Sequence, residues 1–161
     1  MLYDNIMVPY DGSESAQAAL AEAVRYARED PGAALHIVQI VDTEQLVIEK
    51  LEKEGRNTPD ELSSVLLHAH YDEALAEADA ALRRQIGGLL KGLMNEITVD
   101  LLDETVPGEQ IVAFADEHAC DLIVMGSRGL GVLRGMLGSV SYGVLRSAEI
   151  PVLVAKKDEE E

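Results

Sequence analysis

"NIMVPYDGSESAQAALAEAVRYAREDPGAALHIVQIVD", residues 5–42, decides the fold. It opens with a short apolar run, residues 6–8, which reads as a buried strand and ends in the turn residues Asp11 and Gly12. Ser13 follows as a helix N-cap, because its side-chain oxygen can accept from a free first-turn amide. Ala16, Ala19, Leu20, Ala23, Val24 and Ala27 recur at spacings of three and four, one apolar helix face. "DPG" at 30–32 stops that helix, and residues 35–41 form a second strand.

The alternation continues to the end of the chain. "TEQLVIEKLEKEG" reads as a short helix closed by Gly55. "TPDE" at 58–61 is a start signal, with Thr58 as N-cap, Pro59 at the first position and Glu61 completing a capping box. A long helix follows through Leu62, Leu66, Ala69, Tyr71, Leu75, Ala78, Leu82 and Ile86, and Gly87, Gly88 and Gly92 weaken its last turns. "EITVDLLDE" is a third strand. Pro107 opens a helix with Ile111, Phe114 and Ala115 inward, and "DLIVMG" is a short, wholly apolar fourth strand. "SVSYGVLRSA" is helical, and "IPVLVAK" is the fifth strand, at 150–155. Strands alternating with helices predict an α/β fold, a doubly wound parallel sheet with helices on both faces. Residues 1–156 are expected to form one domain, with 157–161 an acidic tail.

Composition narrows the function. The 161 residues are 47% apolar and 27% charged, enough for a proper core. Aromatics are 4%, without Trp, which excludes a stacking platform for nucleic acid. A net charge of −17 argues against binding a phosphate backbone over a broad surface. Cys120 is the only cysteine, so neither an intrachain disulfide nor a cysteine-based metal site is possible. The first fifteen residues lack the pattern of a signal peptide, and no apolar run reaches membrane-spanning length. A cytoplasmic protein without a membrane partner is the expectation.

Against this acidic background, "GSRGLGVLRGMLGSVSYGVLRSA" at 126–148 carries Arg128, Arg134 and Arg146 and no carboxylate. In doubly wound sheets, ligands bind beyond the carboxyl ends of the strands. Two segments fall there: "PYDGS" after the first strand and the loop that starts at Gly126. Gly126, Gly129 and Gly138 let the main chain approach a bulky anion. Gly138-Ser139 precedes a helix, whose first amides and dipole favour phosphate. Ser139 and Ser141 can add hydroxyl donors, and Arg128 adds charge. A glycine cluster also builds any tight turn, so the loop by itself leaves phosphate binding and plain chain reversal both open.

"IMVPYDGSESAQAAL", "DLIVMGSRG", "GSVS" and "IPVLVAK" together resemble the universal stress protein family, over nearly the whole chain. The most specific part is the nucleotide motif of its ATP-binding branch: Gly, two residues, Gly, nine residues, Gly, then Ser or Thr. Gly126 and Gly129 match the first pair and Gly138 and Ser139 the last, with eight residues, 130–137, between them rather than nine. The resemblance implies five parallel strands in the order 3-2-1-4-5. It also implies an ATP site, with Mg²⁺. Asp11 matches an acidic residue near the adenosine, and Ile40 a backbone position at the adenine edge. Gly126, Gly129, Gly138, Ser139, Val140 and Ser141 match ribose and phosphate contacts. Pro9, Tyr10, Met125 and Arg128, at the same two strand ends, complete the expected site. Tyr10 stands where the family more often has a smaller apolar residue. The shorter spacing predicts a smaller preference for ATP over ADP or AMP. The resemblance further implies a homodimer through the strand at 150–155.

The remaining reactive residues read as structural. His68 and His70 face different ways on a helix and read as surface residues, His118 sits near a helix C-terminus, and Cys120 reads as a small packed residue. Asp11 is a binding group rather than a catalytic one, since no partnered acid or base is visible near it. The leading expectation is an ATP-binding regulatory protein acting as a nucleotide-dependent switch or dimeric interaction module on an unknown protein partner. Two alternatives stay open: a family member that acts through protein contacts without nucleotide, and a slow ATP-hydrolysing enzyme.

Overall fold

The computed structural model describes residues 2–56, 64–103, 106–128 and 137–156. The elements run β1 (Asn5–Pro9), α1 (Glu14–Glu29), β2 (Ala34–Val41), α2 (Thr43–Lys53), α3 (Ser64–Leu90), β3 (Ile97–Asp103), α4 (Pro107–Glu117), β4 (Leu122–Gly126), α5 (Ser139–Ser147) and β5 (Val152–Ala155). Among the described residues the five strands form one sheet in the order β3-β2-β1-β4-β5, every pairing parallel. This is the expected α/β topology. β1 is flanked on both sides, with Met7 opposite His36 in β2 and Ile123 in β4.

The pleat sends alternate residues to opposite faces, and two cores result. Ile6, Val8 and Tyr10, with Leu35, Ile37, Leu122 and Val124, meet α1 through Ala16, Leu20 and Val24, and α3 through Leu82 and Ile86. Met7, Val38, Ile123 and Met125 meet α4 through Ile111, Phe114 and Ala115, and α5 through Val144. Strands buried on both faces have to be apolar throughout, which is why β4 reads as an unbroken apolar run.

Local chemistry sets the boundaries. Ser13 caps α1, its Oγ accepting from the Ala16 amide at 3.2 Å. Gly55, at φ +71°, closes α2. α3 continues through Gly87 and Gly88 to Leu90, because Ile86, Leu89 and Leu90 pack against the core and outweigh the weak glycine propensity; Gly92, at φ +82°, turns the chain away. The capping box at 58–61 lies outside the described residues. β5 begins two residues later than expected. Pro151 has no amide to donate, and it enters the ladder only as the acceptor for Ile123. α2 does not lie on the sheet; it packs on α3 through Val47, Leu51 and Ala74. No helix among the described residues is long and apolar enough to cross a membrane.

Candidate functional site

The strand order reverses direction between β1 and β4, and connections leave that point toward opposite sides of the sheet. Such a divergence opens a crevice at the carboxyl ends of the strands. A cavity of about 520 Å³ lies there. Its walls come from Pro9, Tyr10 and Asp11 at the end of β1, Val38 and Ile40 on β2, Met125 and Gly126 on β4, and Arg128 just beyond. Gly138, Ser139, Val140 and Ser141 close one end. Every residue expected in the site is therefore gathered around one space except Gly129, which lies outside the described residues, as do 130–136 of the shortened spacing.

The cavity also has walls that sequence reasoning missed: Ala16 of α1, Val38, and Pro107 and Ile111 at the start of α4, while Ser13, the last residue of "PYDGS", lines it too. Val38 was within reach, since it lies two residues before Ile40 on one strand and so shares its face. Pro107 and Ile111 carried no comparable signal, because only the packing of α4 brings them over the crevice.

Two helices begin at the cavity. In α5 the N-cap is Gly138, and no side chain caps the first turn. The first hydrogen bond of that helix runs from the Tyr142 amide to the Gly138 carbonyl at 2.9 Å. The amides of Ser139, Val140 and Ser141 precede it and have no partner within the helix. α4 starts likewise from Val106 with no side-chain cap and Pro107 at its first position. Both dipoles place their positive ends at the crevice, and Arg128 adds a full charge. Asp11 is the one carboxylate among the described wall residues. Its Oδ1 accepts from the Ser13 amide at 2.9 Å, which orients it.

Three wall residues behave differently from their sequence reading. Ser141 is buried, and its Oγ donates to the Gly126 carbonyl at 2.7 Å. That proton is used inside the protein, and only the oxygen lone pairs can face a ligand, whereas Ser139 remains exposed. Gly126 lacks a side chain for an internal reason. A Cβ there would stand 2.5 Å from Ser15 Oγ and 2.8 Å from the Ala16 nitrogen, so glycine is what lets β4 lie against the start of α1. Tyr10 is only 4% exposed and belongs to the core under α1 and α3, which absorbs the bulk of its ring. Burial first, and then Asp11, raise its phenol pKa, so it is neutral at physiological pH.

The loop is anchored at both ends. The Gly138 amide donates to the Ser127 carbonyl at 2.9 Å, and the Ser127 amide to the Ala155 carbonyl of β5 at 2.9 Å. Elsewhere, His118 donates from Nδ1 to the Phe114 carbonyl at 2.9 Å and stacks on the Phe114 ring at 3.8 Å, so it finishes α4. Cys120 is buried, and burial with the nearby Asp121 pushes its thiol up to about 11, as befits a packed residue. His68 lies against Tyr71, and His70 near Glu73. None of these lines the cavity.

Comparison with known proteins bears on this arrangement. The pattern of the universal stress protein family matches residues 2–156. Universal stress protein MJ0531 of Methanocaldococcus jannaschii is 35% identical over 161 residues, covering 99% of this chain and 86% of its own. Among solved structures, the universal stress protein UspA from Lactobacillus plantarum superposes with a TM-score of 0.70 at 28% identity, covering 95% of this chain and 97% of that one. The universal stress protein from Archaeoglobus fulgidus in complex with dAMP superposes with a TM-score of 0.53 at 25% identity, covering 97% and 100%.

Proposed function

The chain belongs to the universal stress protein family, and from that premise we propose that it binds an adenine nucleotide, ATP foremost, in the cavity beyond β1 and β4. The observation that carries this reading is the uncapped start of α5, opening beside Arg128 into a crevice whose described wall residues include one carboxylate. Free amides, a helix dipole and a guanidinium at one place suit phosphate. The lining also includes Val38, Ile40, Met125 and Ile111, an apolar set that suits a base. A volume of about 520 Å³ is adequate for a nucleotide. The Archaeoglobus fulgidus relative, solved with dAMP, supports an adenine nucleotide as the ligand class.

No group of three His, Cys, Asp or Glu residues among those described could hold a metal, and Asp11 is a single carboxylate already accepting one amide. Mg²⁺ accompanies ATP on the phosphate oxygens, in keeping with its preference for phosphates and water. Among the described lining residues Tyr10, Asp11 and Arg128 are the ionisable side chains, and Asp11 has no acid or base partner among them. That set supports binding and signalling rather than hydrolysis. We take residues 1–156 as one nucleotide-binding domain that presents its bound state to a protein partner, with β5 as the edge through which two copies pair.

Titration calorimetry with ATP, ADP and AMP tests the reading. The chain is expected to bind all three, with ATP ahead of AMP by less than about tenfold, or 1.4 kcal/mol, because the spacing from Gly129 to Gly138 is short by one residue. No heat with any of the three overturns the proposal. A larger ATP preference overturns the role given to the spacing.

A further inference from the structure

We propose that Ser15 is a positioning residue for the anion end of the cavity, gripping the backbone of Arg128 from the first turn of α1; this rests on the nucleotide reading above. Ser15 is 3% exposed and does not itself line the cavity. Its Oγ donates to the Arg128 carbonyl at 2.5 Å and receives the Arg128 amide at 3.3 Å. One hydroxyl thus serves both main-chain groups of the residue that begins the glycine-rich loop. Ser13 Oγ adds a second donor to the same carbonyl at 3.2 Å while it caps α1.

The contact is built into the neighbouring residues too. Gly126 is the residue whose missing Cβ leaves room for Ser15 Oγ, the nearest atom such a carbon would meet. A serine hydroxyl in the first turn of a helix ordinarily turns to its own backbone or to water. Here it is directed across 113 residues of sequence to Arg128. With both backbone groups held, the main chain at Arg128 is fixed where it lines the crevice, so the root of its charged side chain is in place before a ligand arrives. Preorganisation of this kind strengthens binding by removing the ordering cost. It acts on the charged part of the ligand, because Arg128 carries the cation of the described lining and its neighbour Ser127 is hydrogen-bonded to Gly138 at the start of α5.

The test begins with the parent protein and needs no variant. The Arg128 amide is expected to exchange with solvent as slowly as the backbone of α1; exchange at the rate of a free loop overturns the grip. Ser15→Ala is then compared with the parent for AMP and for adenosine. AMP should weaken about tenfold and adenosine should be unchanged, because the two ligands differ only in the phosphate. Arg128→Gln should weaken AMP by a similar factor in the parent but add little in the Ser15→Ala background, as expected when one residue acts through the other. Ser15→Thr, which keeps the hydroxyl, should restore AMP affinity. Equal losses for AMP and adenosine, or additive losses in the double variant, would mean a merely structural serine and overturn the proposal. A parent that binds neither ligand overturns the nucleotide reading and this one with it. A parent that binds both while Ser15→Ala changes nothing overturns this one alone.

Discussion

Gly126 is where β4, α1 and the loop meet, and substitution there separates packing from propensity. In Gly126→Ala the new carbon meets the backbone of Ser15 and Ala16 at 2.8 Å, and backbone cannot give way cheaply. A loss of about 1–3 kcal/mol in denaturant unfolding is expected, together with weaker nucleotide binding as α1 is pushed from the crevice. Gly143, in the middle of α5, is the contrast. Its nearest neighbour for a Cβ is the Gly108 Cα at 3.9 Å, an ordinary contact. Gly143→Ala should stabilise by about 0.4–1 kcal/mol in the same experiment. His36 gives a pH-dependent counterpart. It is buried in β2 between Thr98, 2.8 Å from its Nδ1, and Asn5, 3.4 Å from its Nε2, with His118 and Phe114 rings beside it. Burial foremost, then His118, lowers its pKa, while Asp100 and Glu96 pull more weakly the other way. Above about pH 6.5 both folded and unfolded His36 are neutral. As pH falls through that value the unfolded chain takes the proton first, so stability is lost until the folded pKa is reached. Melting temperatures between about pH 7 and pH 5 should fall less steeply in His36→Gln than in the parent.

At the scale of elements, α2 and α3 form a pair of their own. Beyond the small apolar seam, they are joined by Lys50, whose side chain is 7% exposed. Its Nζ reaches Glu77 at 2.6 Å, Glu54 at 2.9 Å and Glu73 at 3.3 Å. The hydrogen bonds from Glu77 and then Glu54 hold its pKa above the usual lysine range. The base of α2 is tied separately, since Thr43 donates from its amide and hydroxyl to Asp103 at the end of β3. Lys50→Met takes away the cation that Glu54, Glu73 and Glu77 share, leaving Glu54 with only the longer Arg56 contact at 3.9 Å. Amide exchange along α2 should quicken while β1 and β4 keep their protection, and added salt should recover part of the loss by screening the repulsion among those carboxylates. Hydrogen exchange read segment by segment checks both. An equal loss across the sheet would show that α2 is not an independently opening unit.

For the whole molecule, the open question is the edge of the sheet. β5 pairs with β4 on one side, and its Val152, Leu153 and Val154 are only partly buried. α5 next to it in sequence exposes Val140, Tyr142 and Leu145. Soluble proteins usually cover such an edge, and the proposed homodimer does so through β5. Light scattering at micromolar concentration should return twice the 17.4 kDa of the chain. A mass of one chain counts against pairing.

The fold was legible in the sequence because its signals are local. Short apolar runs, apolar spacings of three and four, Ser13 before α1, Gly55 after α2 and Pro107 at α4 are each read within a few residues. Their alternation leaves little but a parallel sheet. The family resemblance likewise points to Asp11, Ile40 and residues 138–141, which line one cavity. Tertiary structure alone decided what these residues do to one another. It turned the Ser141 hydroxyl inward to Gly126, placed Tyr10 in the core, set Gly126 against α1, and joined Ser15 to Arg128 and Lys50 to Glu77. The reason is physical. Periodicity fixes which face of an element is apolar, but a hydrogen bond needs two atoms within about 3 Å and in line. Whether atoms from distant segments reach that geometry depends on how the helices settle on the sheet, which no short stretch of sequence encodes.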